Sequence, residues 1–189
     1  MIETKYGEEE EIICTVHASP RANLTWIKDG VTIDSQFPNT LIARNHNHHS
    51  LTILAVDENT VGNYTCLANN SMGEKMKTVE VTGLAREAII TSHVQGDQNS
   101  EYTLTWYVTS RSTVTEFLVS VRKADTTDWY IYDVEASLDD DDDKYNGLLY
   151  LTDLKEANLY QAKVASRNMF GISEPRKLFL FGTRGAGIG

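Results

Sequence analysis

Short stretches in which apolar and polar residues alternate recur along the chain, while helical periodicity is nearly absent. Side chains on a strand point alternately to the two faces of a sheet, so such stretches predict strands with one buried face. The stretches are Ile12-x-Cys14-x-Val16, Leu24-x-Trp26, Leu51-x-Ile53, Tyr64-x-Cys66, Tyr102-x-Leu104-x-Trp106, Phe117-x-Val119-x-Val121 and Tyr160-x-Ala162-x-Val164.

Turn-forming residues separate these short strands, as at Asp29-Gly30 and Met72-Gly73. Many short alternating strands divided by turns are typical of antiparallel sandwiches. A chain of 189 residues is long enough for two domains of about 100 residues each. We therefore predict an all-β fold of two tandem antiparallel β-sandwiches.

The two halves differ in their cysteines, because Cys14 and Cys66 both lie in the first half. This difference indicates two distinct modules joined near Thr82 to Arg86. The predicted organisation is a first domain over 1–82, a short linker over 83–86, a second domain over 87–182 and a glycine-rich tail over 183–189.

Charge excludes some classes of partner. The formal net charge is −10, and both nucleic acids and anionic membrane surfaces are bound through basic patches. No apolar run approaches the roughly 20 residues of a membrane-spanning helix. We expect protein partners, with no nucleic acid and no small-molecule substrate.

Three sequons lie in the first half, at Asn23-Leu24-Thr25, Asn63-Tyr64-Thr65 and Asn69-Asn70-Ser71. Each tripeptide arises easily by chance. Together with two cysteines that could form a disulfide, they favour a secreted protein over one with two free thiols in the cytosol. We expect glycosylation at Asn23, Asn63 and Asn69 and an extracellular or cell-surface location.

The first half resembles an immunoglobulin domain of the I-set type. Cys14, Trp26 and Cys66 match the Cys…Trp…Cys pattern, and Tyr64 lies at the tyrosine-corner position. The resemblance implies a Cys14–Cys66 disulfide with Trp26 and Tyr64 in the core. The chain departs from the family at Thr60, which replaces an aspartate that usually bridges to an arginine; here that arginine would be Arg44.

The second half is similar to a fibronectin type III domain. Trp106 fits the strand B tryptophan, and Leu154 with Tyr160 fits the corner between strands E and F. Glu156 stands where that corner often has proline. The resemblance implies a core built around Trp106 and Tyr160.

An immunoglobulin domain followed by a fibronectin domain resembles the membrane-proximal ectodomain of neural cell-adhesion molecules, for instance of the klingon or wrapper type. This implies homophilic or heterophilic binding to a cell-surface or secreted protein, a spacer role, and membrane attachment of the full-length protein. The alternative is the ectodomain of a receptor-type tyrosine phosphatase or kinase whose catalytic domain lies outside this chain.

Catalytic motifs are absent from the sequence, so we expect no enzyme activity and no cofactor. His46, His48 and His49 form the one cluster suited to a metal. Two histidines on one face supply only part of a tetrahedral zinc shell, and the asparagines around them favour a polar turn.

A run of five aspartates precedes Lys144: Asp139, Asp140, Asp141, Asp142 and Asp143. Adjacent carboxylates in an extended loop point alternately, and calcium needs six to eight converging oxygens. A solvated loop is therefore favoured over a weak calcium site. The run also resembles an enteropeptidase cleavage sequence, so an engineered insertion stays open.

Strand alternation places the three sequon asparagines on one sheet. Trp26, Tyr64 and Cys66 point inward, so Asn23, Asn63 and Asn69 point outward on the sheet of strands G, F and C. Glycans there would shield this face and leave binding to other surfaces. Domains upstream of this chain are one candidate, and Met169 with Phe170 in the second domain is another, although ordinary loop packing is favoured for these two residues.

Overall fold

A computed structural model of the chain describes residues 1–139 and 143–187. All regular secondary structure among these residues is β-strand, which confirms the predicted fold class. The chain divides into two compact units, Met1–Gly83 and Leu84–Gly189, each with its own sheets. No helix long and apolar enough to cross a membrane occurs in the described part.

The first unit contains two sheets. Their strands are β1 (Ile2–Glu3), β2 (Glu10–Thr15), β3 (Asn23–Lys28), β4 (Val31–Ile33), β5 (Thr40–Asn45), β6 (His48–Ile53), β7 (Gly62–Asn70) and β8 (Gly73–Thr82). One sheet has the order β1-β8-β7-β3-β4 and the other has the order β2-β6-β5. All pairs are antiparallel except β1 with β8, which is parallel.

Alternation in the sequence accounts for the core of the first unit. On β2 and β6 every second residue is buried, and the same parity holds on β7, where Tyr64 and Cys66 face inward. The inward residues include Ile12, Cys14, Trp26, Leu51, Ile53, Tyr64 and Cys66. The two sheets therefore close over one apolar layer.

The second unit also contains two sheets. Its strands are β9 (Ile89–Ile90), β10 (Tyr102–Thr109), β11 (Glu116–Lys123), β12 (Tyr130–Glu135), β13 (Ser137–Leu138), β14 (Lys144–Leu151), β15 (Leu159–Asn168), β16 (Gly171–Ser173) and β17 (Phe179–Gly182). One sheet has the order β13-β14-β10-β9, and the other has the order β12-β11-β15-β16 with β17 also on β15.

Aromatic contacts organise the core of the second unit. Trp106 and Phe117 come from opposite sheets and meet edge to face, with ring centroids 5.4 Å apart. Phe181 stacks on Tyr102 at 4.1 Å and on Tyr160 at 5.6 Å. Both residues predicted for this core, Trp106 and Tyr160, are buried.

The ends of the second unit extend beyond the predicted range 87–182. Ala85 lies in the range expected to be a linker, yet it is buried in the core of this unit. The predicted glycine-rich tail is incorrect at its start, because Thr183 and Ala186 are buried. The Thr183 hydroxyl donates to the Lys155 carbonyl at 2.7 Å and accepts from the Asn158 N–H at 3.1 Å.

Gly147 faces the indole of Trp106, and this contact yields a test of the core. A Cβ at position 147 would overlap the Trp106 ring, whereas one at Gly187 would meet no atom within 4 Å. Because overpacked cores lose stability, Gly147→Ala should lower the free energy of unfolding by about 3 kcal/mol. Gly187→Ala is the matched control and should stay within about 0.5 kcal/mol of the unchanged chain.

Urea denaturation of both variants measures this difference. Equal stability of the two variants would show that Trp106 does not occupy the space in front of Gly147.

Candidate functional site

The disulfide joins the two sheets of the first unit. Cys14 on β2 and Cys66 on β7 are bonded across a sequence separation of 52, with their Cα atoms 6.5 Å apart. This confirms the predicted pairing. Closing a loop of this length stabilises the fold by about 4 kcal/mol in the chain-entropy account. Trp26 is buried and lies directly opposite Cys66 on the neighbouring strand β3.

Thr60 accepts two hydrogen bonds at the tyrosine corner. The Thr60 hydroxyl accepts from the Asp57 N–H at 2.7 Å, and the Thr60 carbonyl accepts from the Tyr64 hydroxyl at 2.6 Å. Burial and the nearby carboxylates of Asp29 and Asp57 raise the pKa of Tyr64, which therefore stays protonated. The corner is thus closed by hydrogen bonds rather than by an ion pair with Arg44.

All three sequon asparagines are exposed on the sheet that contains β3 and β7. Asn23 and Asn69 are directly opposite each other in the antiparallel register. Asn63 lies on the same face of β7, because it is separated from Asn69 by an even number of residues. The acceptor positions are therefore concentrated on one face of the first unit.

The three histidines His46, His48 and His49 lie in different environments. His46 lies in the turn between β5 and β6, and His48 lies beside Thr15, with 3.0 Å between the Thr15 Oγ1 and the imidazole Nδ1. His49 does not belong to a polar turn as expected, because it points inward on β6 and is buried opposite Cys14. No group of three metal-ligating side chains occurs within residues 1–139 and 143–187.

The two ends of the aspartate run, Asp139 and Asp143, are held by contacts of the described residues. The Asp139 N–H donates to the Lys144 carbonyl at 2.8 Å, and their side chains form an ion pair at 3.0 Å. The Asp143 carbonyl accepts from the Ser110 N–H at 2.8 Å. Asp140, Asp141 and Asp142 lie outside the described residues, so the solvated loop stays a prediction, with the weak calcium site as its untested alternative.

Met169 and Phe170 form the turn between β15 and β16. The Phe170 N–H donates to the Asn168 side chain at 2.9 Å, and the Met169 side chain is exposed. Asn168 and Gly171 face each other at the strand ends. The turn is therefore anchored by Asn168 and presents Met169 to solvent.

A groove of about 540 Å³ opens between β12 and β14 in the second unit. Tyr130 and Tyr132 from β12 and Tyr150 from β14 line it, with Lys123, Asp128 and Lys155. Sequence reasoning missed this surface. The run Trp129-Tyr130-Ile131-Tyr132 is a detectable signal, because four large side chains without an intervening polar residue cannot all face one core.

The comparison with known proteins concerns the first unit. Residues 1–82 match the family Immunoglobulin I-set domain, so this region is similar to an I-set domain. Hemicentin-1 of Mus musculus is 37% identical over 70 residues, which are 37% of this chain and 1% of that protein.

Two other relatives are a receptor and an adhesion molecule. Vascular endothelial growth factor receptor 2 of Coturnix japonica is 39% identical over 72 residues, covering 38% of this chain and 5% of the receptor. Neural cell adhesion molecule 1-A of Xenopus laevis is 37% identical over 76 residues, covering 40% of this chain and 7% of that protein. The match thus spans a small part of each relative's length.

One similar solved structure is that of domains A168–A170 from titin, with a TM-score of 0.41 and 21% identity. The match covers 94% of this chain and 59% of the titin chain. With the family match, the three relatives support a protein-interaction module built on an I-set domain.

His49 yields a prediction for the pH dependence of stability. Burial lowers the pKa of His49 below the ordinary histidine value of 6.5, and the positive charges of Arg44 and Arg21 lower it further. The unfolded chain therefore binds this proton first as the pH falls, so stability is lost below pH 6.5.

Urea denaturation at pH 7.5 and pH 5.5 measures this loss. His49→Gln should reduce the difference in unfolding free energy between the two pH values, whereas Asn47→Gln in the turn, which removes no titratable group, should leave it unchanged. The same pH dependence in His49→Gln and in the parent chain would contradict the assignment.

Proposed function

We propose that this chain is an extracellular recognition and spacer segment of a cell-adhesion protein of the neural type. The observation that carries the proposal is the placement of the three sequons. Asn23, Asn63 and Asn69 are exposed on one face, and the same unit contains a buried disulfide. Both features suit the secretory pathway, since disulfides persist in oxidising compartments.

We further propose that the second unit is a fibronectin type III domain. Its support is the pairing of β9, β10 and β14 in one sheet and of β12, β11, β15 and β17 in the other. The buried Trp106 on β10 and the Tyr160 hydroxyl, which accepts from the Lys155 N–H at 2.8 Å, also fit that family.

Glycans on the sheet of β3 and β7 would restrict where a protein partner binds. Opposed residues of neighbouring strands lie about 5 Å apart, so chains on Asn23 and Asn69 would emerge from one small area. Residues 84–189 contain no sequon. We therefore propose that partner binding by this chain uses the second unit, where the exposed Met169 with Phe170 is one candidate contact.

Expression in a secretory host tests the proposed compartment. Glycopeptide mapping should find glycans on sequons of the first unit, and alkylation without reduction should leave Cys14 and Cys66 unmodified. Thr25→Ala, Thr65→Ala and Ser71→Ala each remove one acceptor sequence while keeping the asparagine. Each variant should lose only the glycan of its own sequon.

Three bare asparagines with two alkylated cysteines would place the chain in a reducing compartment and would contradict the extracellular proposal.

Binding of the secreted chain to cells tests recognition. Beads coated with the glycosylated chain should aggregate with one another or attach to neural cells. Beads that do neither would leave the chain with a spacer role alone.

The second candidate function is the ectodomain of a receptor-type enzyme, a tyrosine phosphatase or kinase. The similarity to vascular endothelial growth factor receptor 2, at 39% identity, favours it. The coding sequence downstream of Gly189 separates the two candidates. A catalytic domain there would favour the receptor, and a lipid-anchor signal would favour the adhesion protein.

A further inference from the structure

Strand β12 is the last strand of its sheet and pairs only with β11 among the described residues. Just beyond β11, the Ala124 N–H donates to the Leu159 carbonyl at 2.9 Å. Backbone groups of an antiparallel strand point alternately to its two sides. The even-numbered residues of β11 therefore bond to β15, and the odd-numbered ones bond to β12.

The same alternation fixes the free edge of β12. Its even-numbered residues pair with odd-numbered residues of β11, for example Tyr132 with Val119. The N–H and C=O groups of Ile131 and Asp133 consequently point away from the sheet. They form a template for another strand.

Large apolar side chains surround these free backbone groups. The exposed fractions are 68% for Tyr130, 68% for Ile131 and 37% for Tyr132. A six-residue exposed edge with such side chains pairs readily with another chain unless charges or bulges prevent it. It is therefore a surface that a partner strand can cover.

The long edge of β8 in the first unit differs from β12. Lys75 and Lys77 are opposite Ala68 and Cys66, so they lie on the inner face of the sheet, where charges discourage pairing. Lysine, arginine and proline are missing from residues 130–135, whose two charged side chains, Asp133 and Glu135, lie on the outer face.

One end of β12 is cationic. Trp129 immediately precedes β12, and the Arg122 guanidinium lies 4.5 Å from its ring centroid, with the Lys163 ammonium at 5.6 Å. Arg122 also donates to the Gln161 side chain at 2.9 Å. No carboxylate of the described residues forms an ion pair with Arg122 or Lys163.

The other end of β12 is acidic, with Asp133 and Glu135 on the same outer face as Trp129 and Ile131. An antiparallel partner strand runs in the opposite direction. A second copy of β12 would therefore place its acidic end beside the cationic end of the first copy, and the reverse. Two antiparallel copies of β12 therefore have complementary charges at both ends.

We propose that β12 pairs antiparallel with β12 of a second copy of this chain, about a two-fold axis at Tyr132. Tyr132 then faces the partner's Tyr132, and Tyr130 faces the partner's Val134. Ile131 faces the partner's Asp133, and Trp129 faces the partner's Glu135. Aromatic pairs and aromatic pairs with β-branched residues are favourable across strands.

This register is preferred over its neighbours for electrostatic reasons. A two-fold axis at Asp133 would place two aspartates directly opposite each other, which is unfavourable. An axis at Ile131 would leave Glu135 away from the partner's Trp129 and Arg122. The pairing register can shift only by an even number of residues, because the free backbone groups belong to the odd-numbered residues.

The proposal deepens the proposed recognition function, on which it rests, by naming a second copy as the partner. Each copy uses its single β12 edge, so the pairing closes as a dimer and does not propagate. One strand pair buries less area than a standard protein–protein interface, so the soluble dimer is weak. Many copies on opposed surfaces would strengthen it through avidity.

Sedimentation velocity of the glycosylated full chain over ~10 µM to ~1 mM tests the dimer, a range suited to weak association. The parent chain should shift toward the dimer with concentration. Ile131→Glu should lower the association constant at least about tenfold, because it places a carboxylate directly opposite the partner's Asp133 in both halves of the strand pair. Leu41→Glu is the matched control, since Leu41 is an exposed apolar residue of the edge strand β5.

Cysteine cross-linking tests the register. Tyr132→Cys should form a disulfide-linked dimer under mild oxidation, because opposed residues of a non-hydrogen-bonded pair lie close together. Ile131→Cys faces the partner's Asp133 and should remain uncross-linked. Cross-linking through Ile131→Cys alone would overturn the proposed register.

A monomeric parent chain at all concentrations would overturn the homophilic proposal. Equal weakening by Ile131→Glu and Leu41→Glu would overturn the assignment to β12. Neither result would affect the glycan and thiol results, which test the proposed extracellular function separately. Circular dichroism of each variant establishes that it remains folded.

Discussion

Burial of every second side chain between two sheets is the constraint on which the rest of this structure depends. In the first unit it directs Cys14 and Cys66 toward each other and places Trp26 beside their disulfide. The same alternation turns Asn23, Asn63 and Asn69 outward. The buried core and the candidate glycan face therefore both follow from the same alternation along the strands. A one-residue slip of the pairing register would exchange the two faces.

The second constraint is that the backbone groups at the edge of a sheet need partners or protection. Lysines on the inner face of β8 discourage pairing at that edge of the first unit. The β12 edge instead presents Ile131 between two tyrosines, with opposite charges at its two ends. The proposed glycan face and the proposed pairing edge thus belong to different units.

Alternation was sufficient to predict the all-β class, whereas the disulfide and the burial of Trp26, Tyr64, Trp106 and Tyr160 were implied by the family resemblances. They could not predict which strands form sheet edges, because that depends on pairing between distant segments. The burial of His49 and of Thr183, which the sequence did not predict, depends on such pairing. His49 is buried because β6 pairs with β2, and Thr183 because it bonds to Lys155 and Asn158.

Hydrogen exchange of single backbone amides in β12 tests the central claim, that recognition uses this free edge, most directly. At low protein concentration Ile131 and Asp133 should exchange rapidly, while Tyr130 and Tyr132, which bond to β11, should be protected. At high concentration Ile131 and Asp133 should become protected as well. Protection of Ile131 and Asp133 that is the same at both concentrations, or absent at both, would contradict the account.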